Sequence, residues 1–229
     1  MRRHMVSRML SCLALGAFGL LAQAHAATTL DFESVPPNLF FSGDSFSQNG
    51  FNLSVNGDFG VVDTAAAFFI AQAPRGNDTQ FYGGLNDSLL VLTADGGLPF
   101  RLDGFDAGFI APQPQGPGVI AGRIFVSGVD MSGASVFGSW EFAPSDDSGA
   151  FSFLGYGSGF ASFGSLKSAT FGACIYTDGG ACLNPFDNLG QFALDNVKVA
   201  VVPEPSTYAL LGLGLTALAL RARRQRDRR

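Results

Sequence analysis

The residues of this chain leave catalysis by carboxylates formally possible and remove catalysis by histidine. Both histidines, His4 and His25, precede residue 27, so the stretch from Ala27 to Val202 contains none. Ser-His-Asp and Cys-His catalysis lose their base, and zinc or iron sites built on imidazole lose their ligands. The same stretch carries 17 acids against Arg75, Arg101, Arg123, Lys167 and Lys198, a formal net charge of −12. A body this acidic repels nucleic acid and anionic membrane surfaces, and its oxygen donors suit hard cations. Fifteen of the 17 acids are aspartate, with Glu33 and Glu141 the exceptions, and aspartate at this frequency belongs mostly in turns. A glycosidase needs two carboxylates roughly 5 to 10 Å apart across a cleft. Asp103 with Asp106, or Asp146 with Asp147, can be proposed for it, yet nothing around them separates their pKa values. No catalytic residue is assigned, and the expectation is a protein that is not an enzyme.

Two cysteines and a run of aromatics complete the candidates. Cys174 and Cys182 flank Asp178-Gly179-Gly180, a turn sequence that can bring their Cα atoms within disulfide distance. A redox-active pair is the alternative, without the C-x-x-C spacing that usually marks one. Phe151, Phe153, Tyr156, Phe160 and Phe163 stand among glycines and serines. They fit either a hairpin whose rings fill the core or a platform that stacks on sugar rings, with Trp140 and Tyr82 as further candidates for the second role.

The elements that must position these residues are strands. Lys, Glu and Met are scarce between 27 and 202, and no long window has helical periodicity. Strand-sized runs occur at 29–32, 51–55, 88–92, 124–128, 139–142 and 192–199, generally separated by Gly, Pro, Asn or Asp. Ala111 to Gly118, with three prolines, is an exposed loop or a crossing. The pattern predicts an all-β ectodomain over 27–200, an antiparallel β-sandwich of jelly-roll type, large enough for one core.

Both ends of the chain are signals. Arg2, Arg3 and Arg8, an apolar run from Met9 to Leu21 and Ala24-His25-Ala26 make residues 1–26 a signal peptide, cleaved by signal peptidase before Ala27. The alternative is a retained N-terminal anchor, against which its short length and small-residue exit argue. At the other end, Pro203 and Pro205 interrupt regular structure, and an apolar run follows from Tyr208 to Leu220. Then come Arg221, Arg223, Arg224, Arg226, Arg228 and Arg229. The run has 13 residues, whereas a spanning helix uses about 20, so a short transmembrane helix here is a temporary anchor with its arginines held in the cytoplasm. A basic tail for nucleic acid is the competing reading, and the apolar run beside it argues against that.

Pro203-Glu204-Pro205, the apolar segment and the Arg-rich end together resemble the PEP-CTERM sorting signal of Gram-negative bacteria, over residues 201–229. The resemblance implies export across the inner membrane, processing by the membrane transpeptidase exosortase, and delivery to the cell surface or extracellular matrix. It implies a place beside exopolysaccharide or in biofilm, and leaves the activity of the ectodomain unassigned.

A second resemblance concerns the body. Leu30-Asp31-Phe32-Glu33 and Phe192-Ala193-Leu194-Asp195-Asn196-Val197 are similar to the first and last strands of secreted jelly-roll modules, carbohydrate-binding families among them. There the matching acids hold a structural calcium, which here implies Glu33, Asp195 and Asp31 as Ca²⁺ ligands. Clamping two paired terminal strands at a sheet edge suits an ion that takes six to eight oxygens. The alternative reading of Asp195-Asn196 is a turn or strand cap. An interaction or structural role, a carbohydrate-binding module with calcium, and a carboxylate-dependent glycan hydrolase are the three functions carried forward.

Overall fold

Alternating burial builds the strands of this protein, whose computed structural model describes residues 27–69, 71–177, 180–183, 190–202 and 205–226, with side chains from 211 onward in the last stretch. The expected signal peptide, the Asp178-Gly179 tip and two residues of the sorting motif, Pro203 and Glu204, lie outside the described residues. In chain order the strands are β1 (Ala27–Leu30), β2 (Asn38–Phe41), β3 (Ser45–Gln48), β4 (Phe51–Asn56), β5 (Phe59–Asp63), β6 (Phe81–Leu85) and β7 (Leu89–Ala94). They continue as β8 (Phe100–Phe109), β9 (Gly122–Asp130), β10 (Ser135–Glu141), β11 (Leu154–Tyr156), β12 (Leu166–Tyr176), β13 (Cys182–Leu183) and β14 (Phe192–Val201). The helix α1 (Pro205–Arg226) follows. In β4, Phe51, Leu53 and Val55 are buried while Asn52 and Asn56 face solvent, the period of two that a half-buried strand requires. Asn49-Gly50 joins β3 to β4 with both residues at positive φ, 50° and 81°, the backbone that a two-residue hairpin turn needs.

The expectation of an all-β, antiparallel body holds. The strands form one nearly barrel-shaped sheet in the order β2-β5-β6-β14-β8-β12-β7-β4-β3, with β9 and then β10 added on the far side of β12. β14 is central: it pairs with β8 along one side, and with β6 and then β1 along the other. Two blocks of strands meet through a single bridge, Leu166 with Phe100. Hydrogen bonding alone therefore does not divide the body into the two separate sheets of a sandwich. Across the interior, Phe105 on β8 packs its ring against Phe171 on β12 and Trp140 on β10, at centroid distances of 5.4 and 5.5 Å. Phe51 meets Phe100 edge-on at 5.5 Å. Such edge-to-face pairs add about 0.5 to 1.5 kcal/mol each beyond the area they bury.

Two expectations need correction. Phe151 to Phe163 is not a hairpin: β11 pairs with β8, and a short 3-10 turn spans Phe160–Phe163. Its rings nevertheless fill the core, with Phe151, Tyr156, Phe160 and Phe163 buried. The apolar tail is helical, but among the described residues no helix is long and apolar enough to cross a membrane. The reason is the one its length gives: the apolar part is short and arginines enter the last turns.

Candidate functional site

Three places gather polar or exposed groups. The first is the junction with the tail. β1 and β14 pair antiparallel, Ala27 opposite Ala200 and Leu30 opposite Val197, so the two ends of the body emerge side by side. The Val202 N–H donates to the Pro99 carbonyl at 2.7 Å, which fastens the chain to the body one residue before Pro203. In α1, Leu211, Leu213, Leu215, Leu218 and Leu220 are all exposed. Their spacing distributes them over opposite faces of the helix, as for a segment whose surroundings are apolar on every side.

The second is an acidic cluster at the β1/β14 corner. The first half of β14 is covered on both faces, so Leu194 and Asp195 are both buried, Asp195 to 2% exposure, and a bulge at Asn196 (φ 48°) follows. Asp195 stands opposite Asp106 on β8. Burial pushes its carboxyl up to about 6, the nearby Asp106 and Asp31 add to that, and hydrogen bonds from the Asn196 N–H and Asn77 side chain oppose it. Asn77 Nδ2 donates to Asp195 Oδ2 at 2.7 Å, and Asn196 Nδ2 donates to Asp106 Oδ2 at 2.9 Å. Asp31 Oδ1 accepts from Gln48 Nε2 at 2.7 Å.

Of the expected calcium ligands, the structure thus brings Asp31 and Asp195 near each other and adds Asp106. Glu33 turns elsewhere: its Oε1 accepts from the Gln80 N–H at 2.7 Å. The donor chemistry suits a hard cation. However, side-chain amides hold the carboxylate oxygens, and among the described residues no group of three or more His, Cys, Asp or Glu converges on one metal position.

The third is a groove on the outer face of β10, β9 and β12. Alternation sends Arg123 and Phe125 outward from β9, Phe137, Ser139 and Glu141 from β10, and Tyr176 from β12. The groove encloses about 620 Å³ and is bordered by Cys174 and Cys182. These cysteines form the expected disulfide, with Cα atoms 5.5 Å apart. Arg123 Nε donates to the Tyr176 hydroxyl at 2.6 Å, and that hydroxyl donates to Glu141 Oε1 at 2.7 Å. Arg123 also reaches Ser139 Oγ at 3.3 Å and Glu141 Oε1 at 3.4 Å. The Tyr176 hydrogen bond, followed by Arg123, holds the Glu141 carboxyl below its usual range. Beside this network the rings of Phe125 and Phe137 stack at 6.1 Å and 24°, and Phe137 is 66% exposed.

Of the aromatics that the sequence offered for sugar stacking, Phe151, Tyr156, Phe160 and Phe163 are buried, and Trp140 and Phe153 are half-buried against the core. Tyr82 is fully buried, and Trp140 stacks on Phe160 at 4.8 Å. Phe153 packs edge-on against Phe81. The outward pair, half-buried Phe125 and exposed Phe137, carries a signal in the parity of β9 and β10, since each is two residues from another outward polar group. Three of the four acids proposed for hydrolysis, Asp103, Asp106 and Asp146, are each tied to a different partner. Asp103 pairs with Arg101 at 3.2 Å, Asp106 binds Asn196, and Asp146 pairs with Arg75 at 2.8 Å while accepting from its own turn.

An all-β body runs directly into an apolar, Arg-ended tail, and that tail implies the class, an exported, surface-sorted protein. More particularly, residues 201–224 match the family described as the PEP-CTERM protein-sorting motif, which implies processing by an exosortase. No curated protein matches this chain in sequence. Among solved structures, a DUF4465 family protein from Bacteroides caccae is similar over 80% of this chain and 96% of its own, at 12% identity and a TM-score of 0.47. The enzymatically active domain of tailspike protein 4 from bacteriophage CBA120 is similar over 75% of this chain, at 12% identity and a TM-score of 0.23. This chain spans 20% of that tailspike domain's length. Such distant likenesses define neither the fold nor the activity of this chain.

Proposed function

We propose that this protein is a non-catalytic component of the surface or extracellular matrix of a Gram-negative bacterium, associated with exopolysaccharide or biofilm. Its signal peptide is removed by signal peptidase, α1 serves as a temporary membrane anchor, and exosortase acts at the tail. One observation carries this reading: the sorting motif follows β14 without a spacer, so the folded body is the cargo that the tail delivers. The separate ties of Asp103, Asp106 and Asp146 support a body without hydrolytic chemistry. We place the two strand blocks, facing each other across the aromatic core, in a sandwich-like arrangement. To test the reading, cells producing the protein with and without residues 203–229 are fractionated, and the mature protein is titrated with the producer's own exopolysaccharide. Surface retention that needs the tail, together with exopolysaccharide binding, supports it; release in both cases and no binding overturn it.

A carbohydrate-binding module with structural calcium is the second reading, favoured by the open groove and by the acidic corner. There Asp31 and Asp195 would hold the ion, with Asp106 a better placed third acid than Glu33. A melting temperature equal in excess calcium and in chelator removes the calcium part of it.

A further inference from the structure

The outer face of β9, β10 and β12 is built differently from the rest of the surface. Its apolar part is a flat pair of stacked rings, and its polar part is a set of groups held in place before any ligand arrives. Gly172 on β12 lies directly across from Phe125, and a Cβ there would meet the Phe125 ring at 2.5 Å. The missing side chain is what lets that ring lie flat on the sheet. Phe137, on β10, extends the surface outward.

We infer that this groove binds an uncharged hexopyranose unit of a polysaccharide, with the ring's C–H face on Phe137 and Phe125 and its hydroxyls on Arg123, Ser139, Glu141 and Tyr176. This rests on the reading that the protein works beside exopolysaccharide, and it adds the site and the kind of sugar. A pyranose presents an apolar face of axial C–H groups and a rim of hydroxyls. It therefore needs an aromatic plane beside donors and acceptors, and the groove supplies that combination. The volume of about 620 Å³ falls within the roughly 300–1,000 Å³ usual for small-ligand clefts.

The polar set is complete in type. Arg123 has five N–H donors, and the described bonds engage its Nε and one direction from each terminal nitrogen. Glu141 supplies a carboxylate acceptor, Ser139 a hydroxyl that both gives and accepts, and Tyr176, its one proton held by Glu141, a further acceptor. Because Arg123, Tyr176 and Glu141 already fix one another, little side-chain freedom is left to lose on binding.

Charge selects against acidic sugars. Glu141 already neutralises Arg123, so a uronate carboxylate would displace that partner and leave Glu141 beside a second negative group. The body's net charge of −12 adds a general repulsion of polyanions. A protein strand added to the free edge of β10 would use backbone groups instead, and would not depend on the rings.

The test uses the mature protein purified from producing cells. It is titrated with cellohexaose, laminarihexaose and mannohexaose, with polygalacturonate, and with the producer's exopolysaccharide. Phe137→Ala is compared with the parent, because an exposed ring can be removed without disturbing the core. Binding of at least one neutral oligosaccharide, weakened about tenfold or more in Phe137→Ala and in Tyr176→Phe, is the expected result. Polygalacturonate bound in preference to every neutral probe overturns the choice of sugar. Neutral-sugar binding untouched in Phe137→Ala overturns the site while leaving the exopolysaccharide reading standing. If nothing binds, the producer's polymer included, both fall.

Discussion

At the scale of single residues, aspartates here work as turn anchors far more than as ligands. Asp130-Met131-Ser132-Gly133-Ala134 and Asp146-Asp147-Ser148-Gly149-Ala150 are the same device twice. In each, one carboxylate oxygen accepts from the serine N–H and Oγ and from the alanine N–H, and the glycine takes positive φ. These bonds, the serine hydroxyl first, hold both carboxyls below the ordinary aspartate range. A group depressed in the folded state stabilises above its unfolded pKa and loses that contribution as pH falls through the folded value. Asp146→Ala should therefore lower the melting midpoint at pH 7 and have little effect in strong acid, checked by thermal unfolding across pH. Asp195 has the opposite sign. Its folded pKa of about 6 exceeds the unfolded value, so the folded state holds the extra proton and stability falls as pH rises from about 4 to 6. Two pKa units correspond to about 3 kcal/mol. Denaturant unfolding at pH 4.5, 5.5 and 7 should show this slope, and Asp195→Asn should flatten it. A slope unchanged in that variant would locate the titration elsewhere. The aspartate-rich composition announced turns, and the repeat Asp-x-Ser-Gly-Ala is visible in the sequence. The partnership of Asp195 with Asp106 is not, because it depends on the register of β14 against β8, which no local pattern specifies.

At the scale of elements, glycine decides what sequence reading finds and misses. β4, β7 and β9 alternate and, with the apolar run of β14, are visible as strands; β6 and much of β12 are not, since Gly83, Gly84 and Gly172 interrupt the pattern that marks a strand. Each of these glycines lies under an aromatic ring: Gly83 under Phe68, Gly84 under Phe192, Gly172 under Phe125. A Cβ at Gly83 would come within 2.6 Å of Phe68. Gly83→Val should then cost about 1 to 3 kcal/mol through overpacking, read by chemical denaturation, with Gly157→Ala, which meets only open space at an ordinary φ, as the contrast for crowding. The disulfide belongs to this scale too. It closes a separation of 8 residues beside the groove, and its removal in a Cys174→Ser, Cys182→Ser double variant should cost about 2 to 3 kcal/mol in the loop-entropy description. An unchanged denaturation midpoint would mean that the β12–β13 pairing alone holds that hairpin closed.

At the scale of the whole molecule, body and tail are energetically separate although they are covalently adjacent. The body's terminal strands pair with each other, and the Val202 N–H bond to the Pro99 carbonyl fastens the chain to the body just before Pro203. Beyond it, α1 is exposed from Leu211 to Arg226 apart from partial cover at Gly212, so this described part of the helix adds no buried apolar area to the core. Deleting residues 203–229 should therefore leave the denaturation free energy of the exported body within about 0.5 kcal/mol of the parent, the range for changes away from packed features. The same deletion removes the apolar segment and the arginines, and so should move the protein from the cell surface to the medium. The two readouts are independent, which gives the comparison its force. Surface loss with stability unchanged assigns the tail to delivery alone. A large loss of stability would instead mean that α1 docks on the body, and would turn the exposed leucines from an address into part of the fold.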